Sequence, residues 1–156
     1  MAGTNIVAAR QALIAALRAL AVPEGPLEGV KVDYSYVGKY AGANREYIYG
    51  GGSSESQVEL AAMRNNGRVK REEDPSWSLT LEVFKAGEET HEAGDVRVVA
   101  LGAVVEDYVA FTPDLGGGVS GLLKTTVVAH SLESYVDDEG SYSRLTYQLR
   151  FHSYLD

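Results

Sequence analysis

The stretch that decides the fold is Arg144-Leu145-Thr146-Tyr147-Gln148-Leu149-Arg150-Phe151-His152. Apolar and polar residues alternate along its length, which is the pattern of a β-strand with one buried face. The longer segment 141–154 is therefore predicted to be a strand. Residues 122–136 are predicted to be its antiparallel partner, joined to it by a turn at Asp137-Asp138-Glu139-Gly140.

The register of this hairpin follows from matching the apolar faces of its two strands. If Val136 lies opposite Ser141, three further pairs follow: Leu132 with Leu145, His130 with Tyr147, and Val128 with Leu149. Slipping the pairing by one residue would move the apolar residues of one strand to the wrong face of the sheet. In this register His130 faces inward, where a hydrogen-bonded core histidine is expected rather than a ligand.

Two helices are predicted from apolar residues at helical spacing. The first runs from about residue 5 to 20, with Thr4 or Asn5 as its cap. The second runs from about residue 91 to 110, with Thr90 as its cap. Its middle, residues 96–105, is apolar nearly all round, which predicts burial on more than one side. Two coverings fit that pattern: the protein's own sheet plus a neighbouring subunit, or complete burial inside one domain.

Four further strands are predicted at residues 30–36, 45–49, 58–62 and 77–83. Between the last two lies a polar segment of mixed charge, residues 64–75, which is predicted to be a long flexible loop. The chain has 156 residues, the usual size of one domain. We therefore predict a single α+β domain over residues 1–156, with a mixed or antiparallel β-sheet packed by two main helices.

Composition excludes several classes of function. The chain has no cysteine, so disulfides and thiolate chemistry are excluded. Its 14 Lys and Arg against 22 Asp and Glu give a net charge of −8, which is a poor balance for binding nucleic-acid phosphates. No segment approaches the ~20 consecutive apolar residues of a membrane span. No membrane partner is expected, and the protein is expected to stay in the cytoplasm until it is assembled.

The sequence carries no recognisable catalytic or cofactor-binding motif. Neither run of three glycines continues as the Gly-Lys-Ser/Thr of a phosphate loop, and the Gly-x-Ser-x-Gly elbow is absent. His91, His130 and His152 lack the spacing of zinc ligands. The acidic turn at residues 137–140 lacks the alternating oxygen ligands of a calcium loop. We therefore expect no catalytic, metal-binding or cofactor-binding residue, and no enzyme activity.

Two groups of residues are candidates for contacts between proteins. Tyrosine supplies a large contact area with a polar tip and is enriched at interfaces, and five tyrosines lie within one short β region: Tyr34, Tyr36, Tyr40, Tyr47 and Tyr49. Half of them are explained equally well as sheet packing, because tyrosine favours strands. The second group is the basic cluster Arg64, Arg68, Lys70 and Arg71. Three acidic residues follow it at once, which favours a charged contact between subunits over a nucleic-acid site.

The order of these elements resembles the tail terminator family of siphophages and myophages, particularly those of actinobacterial phages. The resemblance covers nearly the whole chain and depends on the succession of pieces, since no single piece is a fingerprint. The pieces are Arg10-Gln11-Ala12-Leu13, Val32-Asp33-Tyr34-Ser35-Tyr36, Trp77-Ser78-Leu79-Thr80-Leu81-Glu82-Val83, residues 95–107, Pro113-Asp114-Leu115-Gly116-Gly117, Val119-Ser120-Gly121 and Arg144-Leu145-Thr146-Tyr147.

The resemblance implies a structural virion protein with helices on one face of a mixed sheet. Such a protein forms a ring, expected to be a hexamer, that caps the tail tube, ends its polymerisation and presents a surface for head–tail joining. The implied partners are other copies of the chain, the tail tube protein and the head–tail connector or stopper proteins. DNA passes through the lumen without being specifically bound. The implied location is the head-proximal end of the virion tail.

Two alternatives stay open at the level of sequence. The nearer one is another neck or tail component: a tail completion protein, a head–tail stopper or the tube protein itself. The more distant one is a small ligand-binding or enzymatic α+β domain, which a pocket with converging polar groups would favour.

Overall fold

The computed structural model describes residues 3–38, 44–56, 58–63 and 69–155. Within these residues the chain forms two helices and seven strands. In chain order they are α1 (Ile6–Leu20), β1 (Lys31–Asp33), β2 (Asn44–Gly50), β3 (Val58–Met63), β4 (Val69–Glu73), β5 (Ser76–Ala86), α2 (Glu92–Phe111), β6 (Leu122–Val136) and β7 (Gly140–Leu155).

The seven strands form one sheet in which β7 is central. Strand β6 pairs with one side of β7, and β5 and then β4 pair with the other side. The sheet continues from β5 to β2 and β1, while β3 extends it beyond β4. Only the β1–β2 pairing is parallel among the described strands. The α+β fold with a mixed, mostly antiparallel sheet is therefore confirmed.

Both helices pack on the same face of the sheet. One apolar core joins α1, α2 and the strand residues that face them, including Ile48, Trp77, Leu81 and Leu149. Removing apolar surface from water stabilises a fold by about 25 cal/mol per Å², so this core is the main stabilising contribution. Neither helix in the described part of the chain is long and apolar enough to span a membrane.

The predicted register of the β6–β7 hairpin is correct at its turn end and wrong beyond it. Leu132 pairs with Leu145 and His130 with Tyr147, as expected. Leu149, however, lies opposite Val127, because the register shifts between Val127 and Ala129. Val128 is the extra residue of this β-bulge.

Three other predictions need correction. The first strand is shorter than expected: β1 ends at Asp33, so Tyr34 and Tyr36 lie beyond it. The expected long loop at residues 64–75 contains strand β4, which is held between β3 and the end of β7. The cap of α2 is His91 rather than Thr90, and neither cap side chain accepts a hydrogen bond from a backbone N–H of its own helix.

Candidate assembly surface

Three of the predicted tyrosines meet on the face of the sheet that the helices leave open. Tyr47 and Tyr49 project from β2, where they pair with Glu82 and Thr80 of β5. Tyr36 packs against both, with ring centroids 6.0 and 5.1 Å away. Tyr34 lies on the opposite face, where it packs against the core 6.0 Å from Trp77. The fifth tyrosine of this region, Tyr40, lies outside the described residues.

The hydroxyl groups of this cluster are held by carboxylates. Tyr47 donates a hydrogen bond to Asp33 at 2.8 Å, and Tyr49 donates one to Glu82 at 3.3 Å. Burial, with these carboxylates adding to it, raises the pKa of both tyrosines to about 12. Both therefore stay protonated at neutral pH, where they act as hydrogen-bond donors rather than as nucleophiles.

A cleft of about 370 Å³ lies beside the tyrosines on the open face. Its floor carries a row of side chains from four adjacent strands, each packed on the next: Arg45, Phe84, Tyr142 and Tyr135. Arg144 lies 3.6 Å from Glu82 in the next row. Ring packing across strands stabilises the sheet, so most of this cluster is explained by the fold. The half-exposed rings of Tyr36 and Tyr135 remain accessible to a partner.

The structure tests little of the predicted basic cluster. Arg64 and Arg68 lie outside the described residues, and the side chain of Lys70 is not described either. Arg71 is a half-buried residue of β4, opposite Leu155 of β7. A charged contact between subunits at this cluster therefore stays a prediction.

The three acidic residues after the cluster contact other elements of the same chain. Glu72 bonds Tyr154, Glu73 accepts the N–H of Asn5 at 2.5 Å, and Asp74 lies 3.5 Å from Arg150. Glu73 is buried at the N-terminus of α1, where a carboxylate is favoured by the helix dipole.

The structure does not bring the histidines together. His91 lies within hydrogen-bond distance of Asp95 at 2.6 Å, and His152 lies on the open face of the sheet. His130 points toward the helix side, as predicted, but it is exposed because β6 lies at the edge of the sheet. Within the described residues, no group of three His, Asp or Glu side chains is arranged to hold a metal ion.

The feature that sequence reasoning missed is the outer side of β6. Among the described strands β6 pairs only with β7, although it is 15 residues long. Near its start the N–H of Thr125 donates to the carbonyl of Pro113 at 2.6 Å, so a loop covers that part. The remaining segment, Val128 to Val136, is here called the β6 edge. Only one of its residues, Glu133, is charged at neutral pH, and long edges with so few charges are typical of sites that pair with another strand.

A row of exposed apolar residues lies on the solvent side of α2, the helix that contacts β6. We call Val96, Val99 and Ala103 the α2 flank; they are one helical turn or two apart on the solvent side of the helix. Val96 is 68% exposed and Val99 is 52% exposed. Complete burial of α2 inside one domain is therefore wrong, because this flank faces solvent. The other predicted covering, the sheet on one side and a neighbouring subunit on the other, stays a prediction.

Polar contacts fix the α2 flank relative to the β6 edge. Asp95 accepts hydrogen bonds from Ser134 of β6 and Ser143 of β7, which lowers the pKa of its carboxyl group against the opposing effect of burial. One turn on, Val99 lies on the same side of α2. Two residues before Ser134 on β6, Leu132 faces the same side of the sheet and is 47% exposed. The α2 flank and the β6 edge therefore form one surface, here called the β6/α2 surface.

A second exposed apolar group lies at the opposite edge of the sheet. Tyr36 and Val37 follow β1, the strand at this edge, and both are more than half exposed. We call this group the β1 surface. It differs from the β6/α2 surface in its residues and in its backbone, since the β1 strand has only 3 residues.

Comparison with known proteins adds no relative. No protein-family model matches the chain, and no curated protein matches it significantly.

Proposed function

We propose that this chain is a non-enzymatic structural protein that acts by assembling with copies of itself. More specifically, we propose that it forms a ring that caps the tail tube of a bacteriophage, ends tube polymerisation and provides the head–tail joining surface. The specific part of this proposal rests on the order of sequence elements described above. The general part rests on exposed apolar surface.

The observation that carries the proposal is the presence of two different apolar surfaces at opposite edges of one sheet. The β6/α2 surface exposes Val96, Val99 and Leu132, and the β1 surface exposes Tyr36 and Val37. Exposed apolar residues that cluster, rather than scatter singly, are typical of contact sites. A contact between two unlike surfaces of identical subunits is head-to-tail, and such contacts close into a ring when the rotation per subunit divides the circle.

A ring of this kind suits the end of a tube. If its symmetry matches that of the tube, one face binds the last ring of tube subunits, and the other face offers no site for a further one. A hexamer is the expected copy number, with the tube protein and a connector or stopper protein as neighbours. The net charge of −8 is compatible with DNA passing through the lumen without binding.

The test adds purified protein to phage tails that overgrow when the terminator is missing. Wild-type protein is expected to restore a defined tail length, and electron microscopy is expected to show a ring at one tail end. Val99→Asp places a charge in the β6/α2 surface, so the concentration needed for capping should rise at least about tenfold, the equivalent of ~1.4 kcal/mol.

The matched control is Val7→Asp. Val7 is 53% exposed on α1, close to the 52% of Val99, and lies outside both surfaces. This variant is expected to cap tails like the wild type. Equal capping by Val99→Asp and wild type would contradict the role of the β6/α2 surface. Long tubes formed by the purified protein alone would identify it instead as a tube subunit.

A further inference from the structure

We infer that in the free protein the β6 edge pairs with the β6 edge of a second copy, antiparallel and about a twofold axis through Leu132. The pairing itself does not depend on the proposed ring. Only its consequence for assembly rests on the proposed function.

The backbone of the β6 edge offers a regular set of donors and acceptors. At the turn, the N–H of Asp137 donates to the carbonyl of Gly140 at 3.0 Å. Antiparallel residues alternate between bonding the partner strand and directing N–H and C=O away from it. Counting back from Asp137, the residues that bond β7 are Tyr135, Glu133 and Ser131. Those that direct their groups outward are Val136, Ser134, Leu132 and His130.

An independent hydrogen bond supports this assignment. Thr125 shares the helix-facing side of β6 with the four outward-directed residues, as its pairing with Phe151 shows. Its N–H is directed away from β7, because it donates to Pro113. Within the described residues no strand pairs with the outer side of the β6 edge. Its outward groups can therefore bond a strand from another molecule.

The pleat restricts how two β6 edges can pair about a twofold axis. Residues directly opposite each other must project to the same face of the sheet. The residue at the axis must therefore lie opposite its own copy, and two neighbouring residues cannot lie opposite each other. Three positions bring most of the edge into contact: an axis through Ser131, through Leu132 or through Glu133.

Side-chain chemistry selects the axis through Leu132. An axis through Glu133 would place that carboxylate opposite its own copy, and like charges directly opposite are destabilising. An axis through Ser131 would place Leu132 opposite His130 and Val136 opposite Thr126. The axis through Leu132 instead places Leu132 opposite its own copy and each Glu133 opposite an uncharged serine. Its pairs are Leu132 with Leu132, Val128 with Val136, His130 with Ser134, Ser131 with Glu133, and Ala129 with Tyr135.

These pairs are complementary on both faces of the joined sheet. On the helix side, Leu132 and Val136 form an apolar seam between the copies, and each Val136 lies opposite the bulged residue Val128 of the other copy. On the open side, a serine hydroxyl faces a carboxylate, and the half-exposed ring of Tyr135 faces the small Ala129. Apolar residues that are 40–48% exposed in one copy are thus covered by the other. The occupant that fits the β6 edge is a second β6 edge.

Twofold pairing and ring closure exclude each other at this edge. A twofold contact uses the same surface on both copies, whereas a head-to-tail ring joins two different surfaces. If the proposed ring uses the β6/α2 surface, the dimer must open before a subunit enters the ring. The dimer then keeps the β6 edge covered until a tube end becomes available.

Cysteine cross-linking tests the register, because the chain has no cysteine of its own. In the inferred dimer the two copies of residue 132 have Cα atoms about 5.5 Å apart, within the range that a disulfide spans. Leu132→Cys is therefore expected to form a covalent dimer on mild oxidation. Glu88→Cys, at an exposed position before α2, is the control. Its cross-linked yield is expected to be lower by about tenfold, since no contact holds the two thiols at high effective concentration.

A second pair of variants fixes the register independently. Ser131 and Glu133 lie opposite each other across the seam, so a mixture of Ser131→Cys and Glu133→Cys chains is expected to cross-link, and each variant alone much less. Sedimentation of the wild type at increasing concentration is expected to approach twice the mass of 16.8 kDa. Circular dichroism and thermal unfolding of each variant exclude misfolding as the cause of a change.

The outcomes separate this inference from the proposed function. If Leu132→Cys cross-links no better than Glu88→Cys while the wild type caps tails, the twofold pairing is wrong and the ring proposal stands. If Leu132→Cys cross-links but the wild type does not cap tails, the dimer is real and the ring proposal fails. If both hold, the oxidised Leu132→Cys dimer is expected to cap tails only after reduction.

Discussion

Gly102 lies where α2 packs against β7, and it shows how a single residue sets the distance between two elements. A Cβ atom at this position would overlap the hydroxyl group of Tyr147 and lie 2.7 Å from Cδ2 of Leu145. Tyr147 is 3% exposed and bonds Glu106, so it has little room to move away.

Gly102→Ala is expected to destabilise the fold by about 1–3 kcal/mol, because overpacking outweighs the better helix propensity of alanine. Urea unfolding measures this change. Gly118→Ala is the control, since no atom lies within 4 Å of its added Cβ. The control should change stability by less than about 0.5 kcal/mol. An unchanged or higher stability of Gly102→Ala would show that α2 can shift without cost.

Buried tyrosines make the folded state less stable at alkaline pH. Burial raises the pKa of Tyr47 and Tyr147 from 10.0 to about 12. Between these values the unfolded chain loses the phenolic proton while the folded chain keeps it, so stability falls as pH rises. The contribution is complete below pH 10 and is lost towards pH 12, with a slope of at most about 1.4 kcal/mol per pH unit for each tyrosine.

Urea unfolding at several values between pH 8 and pH 12 measures this slope. The slope is expected to be shallower in Tyr47→Phe, because that variant has one titrating group fewer. The comparison uses slopes rather than absolute stabilities, since the variant also loses the hydrogen bond to Asp33. An identical slope in the two proteins would assign the alkaline transition to other residues.

At the scale of elements, the alternating backbone of the β6 edge has a direct spectroscopic consequence. In dilute solution the amides of His130, Leu132 and Ser134 are expected to exchange their hydrogens quickly, because they point away from β7. The amides of Ser131 and Glu133 between them are expected to exchange slowly. Residue-resolved hydrogen exchange by NMR measures this alternation.

The dependence of hydrogen exchange on protein concentration distinguishes a free β6 edge from a paired one. If β6 edges pair, exchange at the outward amides slows as concentration rises, while that at the inward amides changes little. Uniformly slow exchange along residues 129–135 at every concentration would mean that another part of the chain covers the edge.

The fold was predictable where one local signal decided it. The alternation from Arg144 to His152 predicted β7, and helical spacing predicted both helices within one residue at each end. The predicted register of the hairpin was wrong at Val128, because a β-bulge adds one residue to the strand there. The side-chain types around Val128 do not indicate a bulge. Alternation placed Tyr34 on the core side with Val32, which is where it lies beside Trp77, but β1 ends at Asp33 and Tyr36 lies on the open face instead.

The candidate site was less predictable than the fold. Clustered tyrosines pointed to the open face, where Tyr47 is buried by its neighbours while Tyr36 is 52% exposed. The apolar circumference of α2 predicted covering on more than one side, whereas Val96 and Val99 are exposed within this chain. The β6 edge gave no signal, because its exposure depends on which strand ends the sheet. Strand order is a property of the whole topology, and it does not appear in the sequence of β6.

At the scale of the whole molecule, the net charge disfavours contact with DNA, whereas the exposed apolar surface favours contact with protein. A net charge of −8 repels the phosphate backbone of DNA. The apolar surfaces at the two ends of the sheet favour contact with protein. This distribution is compatible with the proposed ring, in which neighbouring subunits hold each other and DNA passes without binding.

The chain is therefore expected not to retard duplex DNA in a gel at about 0.1 M salt, since it has few positive charges to displace counterions. The control is the same assay at about 0.01 M salt, where weak phosphate contacts are strongest. Retardation that persists at the higher salt concentration would point to a basic site, with Arg64, Arg68 and Arg71 as the first residues to replace.

The hydrogen bond from Thr125 to the carbonyl of Pro113 closes one end of an otherwise accessible strand. A strand that pairs with the outer side of β6 cannot extend its pairing beyond residue 125, because the loop at Pro113 occupies that part of the edge. Open strands of this length ordinarily invite fibrils, because each added strand exposes a fresh template. With the loop at one end and a bulge beside it, β6 can pair with a short strand in one position, so concentrated protein is expected to stay dispersed rather than to form fibrils.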